Sequence, residues 1–200
     1  MNFTEDFLKC CSTVIEQLDL KQIDNVAELL RGVRDKGGRL FVVGSGGGAG
    51  HASHAVCDFR KLCNLEAYAP YDNVSELTAR VNDEGWDTTL SNWLKTSRIN
   101  EKDGLFVFSV GGGSVTNEVS MNLVNAIKLA QSVNASIAGI AGKDGGFLGE
   151  KAQAFIRVPN PQVELVTPIT EGFQALLWHL LVSHPRLQMN QAKWESLSAK

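Results

Sequence analysis

Long runs of basic residues are missing from this sequence, in which 22 Asp and Glu outnumber 19 Lys and Arg for a net charge of −3. This balance argues against a nucleic-acid partner, because proteins that bind phosphates through charge cluster their Lys and Arg. No segment approaches the ~20 apolar residues of a membrane span. The first six residues are acidic and polar, unlike a secretory signal. We therefore predict a cytoplasmic protein with neither nucleic acid nor membrane as a partner.

Cysteine is scarce, and its four copies form no Cys-x-x-Cys pair. That spacing is typical of zinc ribbons and dithiol redox sites, so neither is predicted. Disulfides are not expected in the reducing cytoplasm. We expect all four side chains to be small, buried apolar groups: Cys10, Cys11, Cys57 and Cys63.

The 200 residues are 44% apolar and 20% charged, which suits one globular domain with a sizeable core. We predict a single domain over residues 1–200. Amphipathic helices at 4–18 and 21–36 open it, because their apolar residues recur with helical spacing. These helices form an N-terminal extension over 1–36, and an α/β core follows over 37–200.

Short apolar runs alternate with helical patterns through the rest of the chain. Strands are predicted at 39–43, 66–69, 105–109, 136–141 and 154–158. Helices are predicted at 51–63, 74–81, 86–97, 116–132 and 167–184, with a short one after Gly146. Apolar strands separated by helices indicate a parallel sheet covered on both faces. The predicted fold class is therefore α/β.

Glycine-rich turns, Gly44–Gly50 and Ser109–Ser114, follow two of the predicted strands. Glycine lets the backbone approach a ligand closely, and the free N–H groups of the next helix attract anions. Such turns can bind a phosphate without a lysine, at the edge where open α/β sheets bind ligands. Two alternatives remain: turns that bind nothing, and a nucleotide site built on Gly44-x-Gly46-x-x-Ala49 with Glu66 as ribose partner.

The motifs, taken in order, resemble those of sugar isomerase (SIS) domains. The first glycine turn with His54, and the serine-bearing turn Ser109–Ser114, are similar to the two loops of that family. Three further segments resemble its phosphoheptose isomerase subfamily: Val81-Asn82-Asp83-x-Gly85, Gly142-Lys143-Asp144-Gly145-Gly146 and Ile156-Arg157-Val158-Pro159. The resemblance covers nearly the whole chain. It implies an SIS-type domain that isomerises sedoheptulose 7-phosphate, through an enediolate, to a heptose 7-phosphate.

The resemblance also implies a homotetramer with active sites between subunits, and a divalent metal, usually zinc. The matching metal ligands are His54, Asp58, Glu171 and His179, and the proton transfers are carried by Asp58 and His179. The sugar phosphate would be bound by nine residues: Ser45, Gly46, Gly47, Asp83, Ser109, Gly111, Gly112, Gly113 and Ser114.

The chain departs from the family pattern at several of these positions. Asp58 stands where the family has Glu, and Glu171 stands where it has Gln. Ser45 replaces an Asn, and Val110 and Gly111 replace hydroxyl residues of the phosphate loop. The alternative function is therefore a non-catalytic SIS protein that binds a phosphosugar or a protein partner.

Helical spacing constrains the four candidate ligands. His54 and Asp58, at i and i+4, share one face of a helix and can share one ion. Glu171 and His179 are roughly 12 Å apart along a helix, so both reach one ion only with extended side chains or an irregular helix start. Gln174 is an alternative ligand. A metal-bound Asp58 would be a poor base, and then His179 or Glu171 would have to act.

Overall fold

A five-stranded parallel sheet forms the centre of the protein in a computed structural model that describes residues 2–193. The strand order is β2-β1-β3-β4-β5, and every neighbouring pair is parallel. The strands are β1 Leu40–Gly44, β2 Ala67–Tyr68, β3 Gly104–Ser109, β4 Ser136–Ala141 and β5 Ala154–Arg157. The predicted α/β class is confirmed. Residue 1 and residues 194–200 of the predicted domain lie outside the described residues.

Eight α-helices connect and flank the strands within residues 2–193. They are α1 Phe3–Gln17, α2 Leu20–Asp35, α3 Gly47–Cys63, α4 Val74–Glu84, α5 Trp86–Thr96, α6 Met121–Ser132, α7 Gly146–Lys151 and α8 Val166–Ser183. Short 3₁₀ turns, Pro70–Asp72 and Val163–Leu165, precede α4 and α8. Asp19 begins α2 as an N-cap, because its carboxylate accepts hydrogen bonds from two backbone N–H groups of the first turn.

Each face of the sheet has its own apolar core, since successive side chains of a strand point to opposite faces. One core packs α2, α3 and α8 on the sheet and includes Leu30, Phe59 and Trp178, all 0% exposed. The other core lies against α5, α6 and α7 and includes Leu90 and Leu123. Because neither face is open to water, the strands are almost wholly apolar, which made them recognisable in the sequence.

The helix α3 begins at Gly47, four residues before the predicted start at His51. Gly46 alone has a positive φ, of 58°, and the chain is helical from the next residue. The glycines also let α3 approach the sheet, because a Cβ at Gly48 would meet the Phe108 carbonyl oxygen at 2.8 Å. The glycine-rich run is therefore mostly the first turn of a helix and only briefly a loop.

The helix α6 begins at Met121, five residues after the predicted start at Thr116. The preceding chain folds back on itself, and Ser114 and Val119 form an antiparallel bridge with two backbone hydrogen bonds of 3.0 Å. Glu118 and Ser120 have positive φ values of 51° and 52°, which an α-helix does not accommodate. The serine-bearing turn therefore leads into a closed loop before the helix starts.

The helix α8 is a core helix. The segment Val163–Ser183 is long and apolar enough, by length and composition, to span a membrane, which the sequence analysis did not expect. Its buried residues, among them Phe173, Leu177 and Leu181, pack in the first core beside α3 and the sheet. Packing in this core accounts for the apolar residues of α8.

The cysteines are not uniformly buried. Cys10 and Cys63 are buried, Cys11 is half-buried and Cys57 is exposed. The prediction of a buried side chain is wrong for Cys57, because the buried positions of α3 lie on the opposite side of the helix. Burial raises the pKa of the Cys63 thiol to about 12.

A buried ionic cluster joins the starts of β1 and β3, at the opposite edge from the glycine turns. Asp103, 1% exposed, accepts hydrogen bonds from the Arg39 guanidinium at 2.7 and 3.2 Å and from the Arg39 backbone N–H at 2.9 Å. The backbone N–H and the side-chain amide of Asn100 each donate to it at 3.0 Å. The hydrogen bond to Asp103 raises the pKa of Arg39. Two chain segments 64 residues apart are thus tied to one carboxylate.

Candidate active site

The two glycine-rich turns start from neighbouring strand ends. Gly44, the last residue of β1, is in register with Phe108 of β3. The chain leaves β1 toward β2 at one edge of the sheet and leaves β3 toward β4 and β5 on the other side. Such a reversal of strand order is where open α/β sheets bind ligands. α3 and α8 pack together on one face, next to this point.

Three of the four candidate metal ligands lie together between α3 and α8. One ligand atom from each of His54, Asp58 and His179 lies within 4.8 Å of the other two. The His179 Nε2 is 3.9 Å from an Asp58 oxygen, and the two imidazole centroids are 5.5 Å apart. The side chain of His179 is 51% exposed. α3 supplies its pair through helical spacing, and the packing of α8 on α3 adds the third side chain.

The orientation of His179 leaves one ring nitrogen for chemistry. Its Nδ1 lies 2.7 Å from the Ala175 carbonyl oxygen, which can only accept, so Nδ1 carries the hydrogen and donates it. Nε2 faces Asp58. The buried Trp178 ring stacks on His179 with centroids 3.5 Å apart and contacts His54 edge-on at 4.6 Å. These contacts hold both imidazoles in place.

Two imidazoles and one carboxylate are a donor set that suits a divalent transition metal. Catalytic zinc sites use three such protein ligands and leave a position open, and two His with one carboxylate also suit iron. The 3.9 Å between His179 and Asp58 is too long for a hydrogen bond. It leaves room for an ion between them, since zinc bonds to nitrogen and oxygen are about 2.0–2.2 Å long. The cluster could therefore hold a metal ion.

Glu171, the fourth candidate ligand, lies outside this cluster. Its carboxylate lies over Gly47, where an added Cβ would meet the carboxylate atoms at 2.6 to 2.7 Å. His54 is two turns farther along α3, roughly 10 Å along the helix axis. The missing side chain of Gly47 creates the space that Glu171 fills at the edge of the sheet.

Gln174, the alternative ligand, points into the sheet. It is 0% exposed, and its Nε2 donates to the carbonyl oxygens of Ser109 at 3.0 Å and Ile140 at 3.4 Å. These carbonyls lie at the ends of β3 and β4, so Gln174 fastens α8 to the sheet and does not join the cluster.

In the first glycine turn, Ser45 is half-buried and Gly46 and Gly47 are exposed. Gly46, with its positive φ, turns the chain from β1 into α3. Asn122, on α6, donates from Nδ2 to the Ser45 hydroxyl oxygen at 3.0 Å. Asn122 was not predicted as a site residue, because no spacing in the sequence links it to a residue 77 positions earlier.

Tyr71 supports the same turn where β2 is too short to pair with β1. β2 has two residues, paired with Leu40 and Phe41, so Gly44 has no strand partner on that side. The Tyr71 hydroxyl takes this place, because it accepts from the Gly44 N–H at 2.9 Å and donates to the Gly44 carbonyl oxygen. Burial raises the pKa of Tyr71, so the hydroxyl keeps its hydrogen at neutral pH.

Replacing Tyr71 by phenylalanine is expected to lower the free energy of unfolding by about 2 kcal/mol, because a buried donor and a buried acceptor lose their partner. Urea denaturation followed by circular dichroism measures the change. Tyr68→Phe is the control, since within residues 2–193 the Tyr68 hydroxyl bonds to the exposed Glu66 carboxylate alone. That variant should lose less than about 0.5 kcal/mol. Equal losses in the two variants would contradict this role of Tyr71.

The second glycine turn forms one wall of a cleft of 520 Å³. The Ser109 hydroxyl oxygen accepts a hydrogen bond from the Gly112 N–H at 2.9 Å, which closes the turn. Gly111, Gly113 and Ser114 line the cleft, together with the closed loop that follows them and with α7. Three of the five candidate phosphate residues of this turn therefore face a cavity, whereas Ser109 is buried and Gly112, with a φ of 75°, shapes the backbone.

Lys143 adds a cation that the sequence analysis did not assign to the site. It lines the same cleft, has a φ of 50° that is uncommon outside glycine, and forms no ion pair within residues 2–193. The signal for it was the Gly142-Lys143-Asp144-Gly145-Gly146 segment, which follows β4 as the glycine turns follow β1 and β3. The three cluster residues between α3 and α8 do not line this cleft.

Asp83 lies apart from the turns and the cluster. It is exposed near the end of α4 and accepts a hydrogen bond from its neighbour Asn82 at 2.7 Å. No residue of α4 is buried, and no hydrogen bond within the described part of the chain joins Asp83 to either glycine turn. A contact between Asp83 and a sugar stays a prediction.

Comparison with known proteins shows which sequences and folds this chain is similar to. A scan against models of protein families found no match. Over 169 residues, 79% of this chain, the sequence is 34% identical to lincomycin biosynthesis protein LmbN from Streptomyces lincolnensis, of which it spans 60%. It is 28% identical over 173 residues to phosphoheptose isomerase 1 from Campylobacter jejuni, a match that covers 84% of each chain.

The fold also matches solved structures. Phosphoheptose isomerase GmhA from Neisseria gonorrhoeae superposes with a TM-score of 0.76 over 90% of this chain and 93% of its own, at 23% identity. At that identity the superposition shows a shared fold, and the question of family depends on the sequence relatives.

Proposed function

Because the chain belongs to the phosphoheptose isomerase family of SIS-domain proteins, we propose that it is an aldose–ketose isomerase that acts on a sugar phosphate. The substrate in this proposal is sedoheptulose 7-phosphate, or a ketose phosphate of similar length, and the product is the corresponding aldose phosphate. The observation that carries the proposal is the cluster of His54, Asp58 and His179 between α3 and α8.

The position of the cluster supports a long substrate. The cluster lies apart from the cleft beside the second glycine turn, since none of its three residues lines that cleft. A seven-carbon chain with carbon–carbon bonds of ~1.5 Å extends farther from a phosphate bound in that cleft than a three-carbon sugar does. The phosphate in this proposal is bound by the turn Ser109–Ser114 and Lys143, and Ser45 and Glu171 contact the sugar oxygens in between.

The reaction moves one proton between neighbouring carbons and one between their oxygens. Because Nδ1 of His179 donates to Ala175, Nε2 is the ring nitrogen that accepts or returns a proton. Asp58, whose carboxylate lies 3.9 Å from that nitrogen, is the second proton carrier. Trp178 keeps both imidazoles oriented. No proton has to leave the site for the reaction to be complete.

A divalent metal ion, zinc in this proposal, would be held by His54 and by one carboxylate oxygen of Asp58. That leaves Nε2 of His179 and the second Asp58 oxygen to carry protons. When bound, the ion would polarise the sugar oxygen on which negative charge develops. Asp58 is one methylene shorter than the Glu of the family, so its carboxylate reaches less far from α3. Glu171, at Gly47, is then free to accept hydrogen bonds from sugar hydroxyls.

The experiment is to incubate the purified protein with sedoheptulose 7-phosphate and follow aldose formation, with and without a chelator. We expect turnover that the chelator abolishes and that added Zn²⁺ restores. Absence of turnover with every ketose phosphate tried would overturn the proposal. If sedoheptulose 7-phosphate then still raised the melting temperature of metal-free protein, the chain would be a non-catalytic phosphosugar-binding protein instead.

The proposed assembly is a cytoplasmic homotetramer with active sites between subunits. Its support is the apolar surface that flanks the cluster: Leu176 and Leu180 are 45% and 37% exposed on either side of His179. α1 exposes further large apolar side chains, Phe3, Leu8 and Ile15. Exposed apolar residues that lie together mark protein interfaces. Light scattering of the preparation used in the assay is expected to give the mass of four chains.

A further inference from the structure

We propose that Asn122 is a positioning residue of this site, which turns the hydroxyl hydrogen of Ser45 toward the substrate. The inference rests on the proposed function, because it assigns the Ser45 hydroxyl as a donor to a sugar oxygen during isomerisation. Asn122 itself is 0% exposed and touches no substrate. It acts through Ser45 alone.

The hydrogen bond between these residues crosses the reversal of strand order. Ser45 directly follows β1, and Asn122 is the second residue of α6, the helix that follows β3. The Asn122 Nδ2 lies 3.0 Å from the Ser45 Oγ. A buried amide therefore fixes the position of an accessible hydroxyl at the edge where the two glycine turns meet.

The direction of this hydrogen bond decides what Ser45 can do. A hydroxyl has one hydrogen and two lone pairs, and the Asn122 amide occupies a lone pair. No carbonyl or carboxylate within the described residues accepts the Ser45 hydrogen, so it stays available to a ligand. Ser109, at the end of β3, differs because its hydroxyl is buried and its oxygen accepts from the Gly112 N–H within the turn.

The other end of the Asn122 amide gives the second observation. Its Oδ1 is buried and has no hydrogen-bond partner. A buried amide with an unpaired oxygen costs stability, and leucine at this position would avoid that cost. Such exceptions concentrate at functional sites, where a group is retained for what it does to its neighbour. The neighbour here is Ser45.

Asn122→Asp is the variant that tests this direction, because the two side chains have nearly the same shape. A carboxylate can only accept, so the Ser45 hydroxyl must turn and donate to Asp at position 122. The Ser45 hydroxyl can then no longer donate a hydrogen bond to the substrate. We expect kcat/KM for sedoheptulose 7-phosphate to fall about 10- to 100-fold in this variant, as when one preorganised donor is removed. The kcat/KM of Ser45→Ala should fall by the same factor.

The double variant Ser45→Ala/Asn122→Asp separates positioning from a structural role. If Asn122 acts through Ser45, the double variant is no worse than Ser45→Ala. If the two losses multiply, Asn122 acts through the fold and the proposal is overturned. Asn125→Asp is the matched control, on the same helix with an exposed amide that donates to the Asp87 carbonyl oxygen at 3.0 Å, and it should keep wild-type kcat/KM.

A second variant covers the case in which Asn122→Asp does not fold. Asn122→Ala removes the donor without adding an acceptor, so we expect a smaller loss, up to about 10-fold, that again disappears in the Ser45→Ala background. A loss that persists there overturns the proposal.

Wild-type turnover is measured first, which separates the two possible failures. If the wild type does not isomerise the sugar, the proposed function fails, and the same cycle is measured on the dissociation constant of sedoheptulose 7-phosphate. If the two single variants raise that constant and their effects multiply in the double variant, the positioning role is overturned. If the double variant binds no more weakly than Ser45→Ala, the positioning role is supported.

Discussion

Replacing His179 by alanine is expected to lower kcat/KM for sedoheptulose 7-phosphate about 10³-fold, within the range for loss of a positioned acid–base group. Nε2 is the one nitrogen of this ring that is free to act, because Nδ1 donates to the Ala175 carbonyl oxygen. The variant also leaves His54 and Asp58 as the two remaining residues of the cluster. Because these two residues would hold the metal, metal content, measured by mass spectrometry of the purified protein, should stay near that of the wild type while the rate falls.

His184→Ala is the control for that variant. His184 follows the last residue of α8, and its Nε2 lies 3.2 Å from the Asp24 carboxylate, on α2 and outside the cluster. We expect its kcat/KM to stay within about twofold of the wild type. A His179→Ala enzyme that kept a tenth or more of the wild-type rate would show that the chemistry does not pass through this imidazole.

The largest expected effect on stability comes from Asp103→Ala, which should lower the free energy of unfolding by about 3–5 kcal/mol. The buried carboxylate accepts hydrogen bonds from Arg39 and Asn100, so its removal leaves a partly buried guanidinium and several N–H groups without an acceptor. Urea denaturation followed by circular dichroism measures the loss in free energy of unfolding. The loss is large because the contacts between Arg39 and Asp103 join the starts of β1 and β3.

Asp35→Ala provides the comparison for Asp103. Asp35 also pairs with arginines, Arg31 and Arg34, but its side chain is 51% exposed, and exposed pairs contribute roughly 0–1 kcal/mol. If Asp103→Ala cost no more than Asp35→Ala, the buried cluster would not stabilise the junction of the two strands.

The sheet was predictable because its strands are buried on both faces. β4 was predicted at its observed bounds, Ser136–Ala141, since a continuous apolar run between polar segments has few other interpretations. The starts of α3 and α6 were not predictable in the same way. Gly46 and the bridge between Ser114 and Val119 depend on backbone conformations and pairings that residue periodicity does not encode.

The residues of the candidate site also differ in whether the sequence predicts them. The family resemblance singled out His54, Asp58 and His179, and helical spacing then placed His54 and Asp58 on one face of a helix. For His179 there was no other signal, because an isolated histidine on an apolar helix is usually a core residue. Asn122 and Tyr71 gave no signal. Their partners lie 77 and 27 positions away, and only the packing of the sheet brings those positions together.

One consequence follows from all five strands running in the same direction. The Arg39–Asp103 cluster lies where β1 and β3 begin, and the glycine turns lie where they end, so the five or six residues of each strand separate them by roughly 16–20 Å. At that separation, energetic effects of substitutions usually add independently. Substitutions at the strand starts can therefore raise stability, and substitutions at the strand ends can change substrate specificity, with each set designed and measured independently.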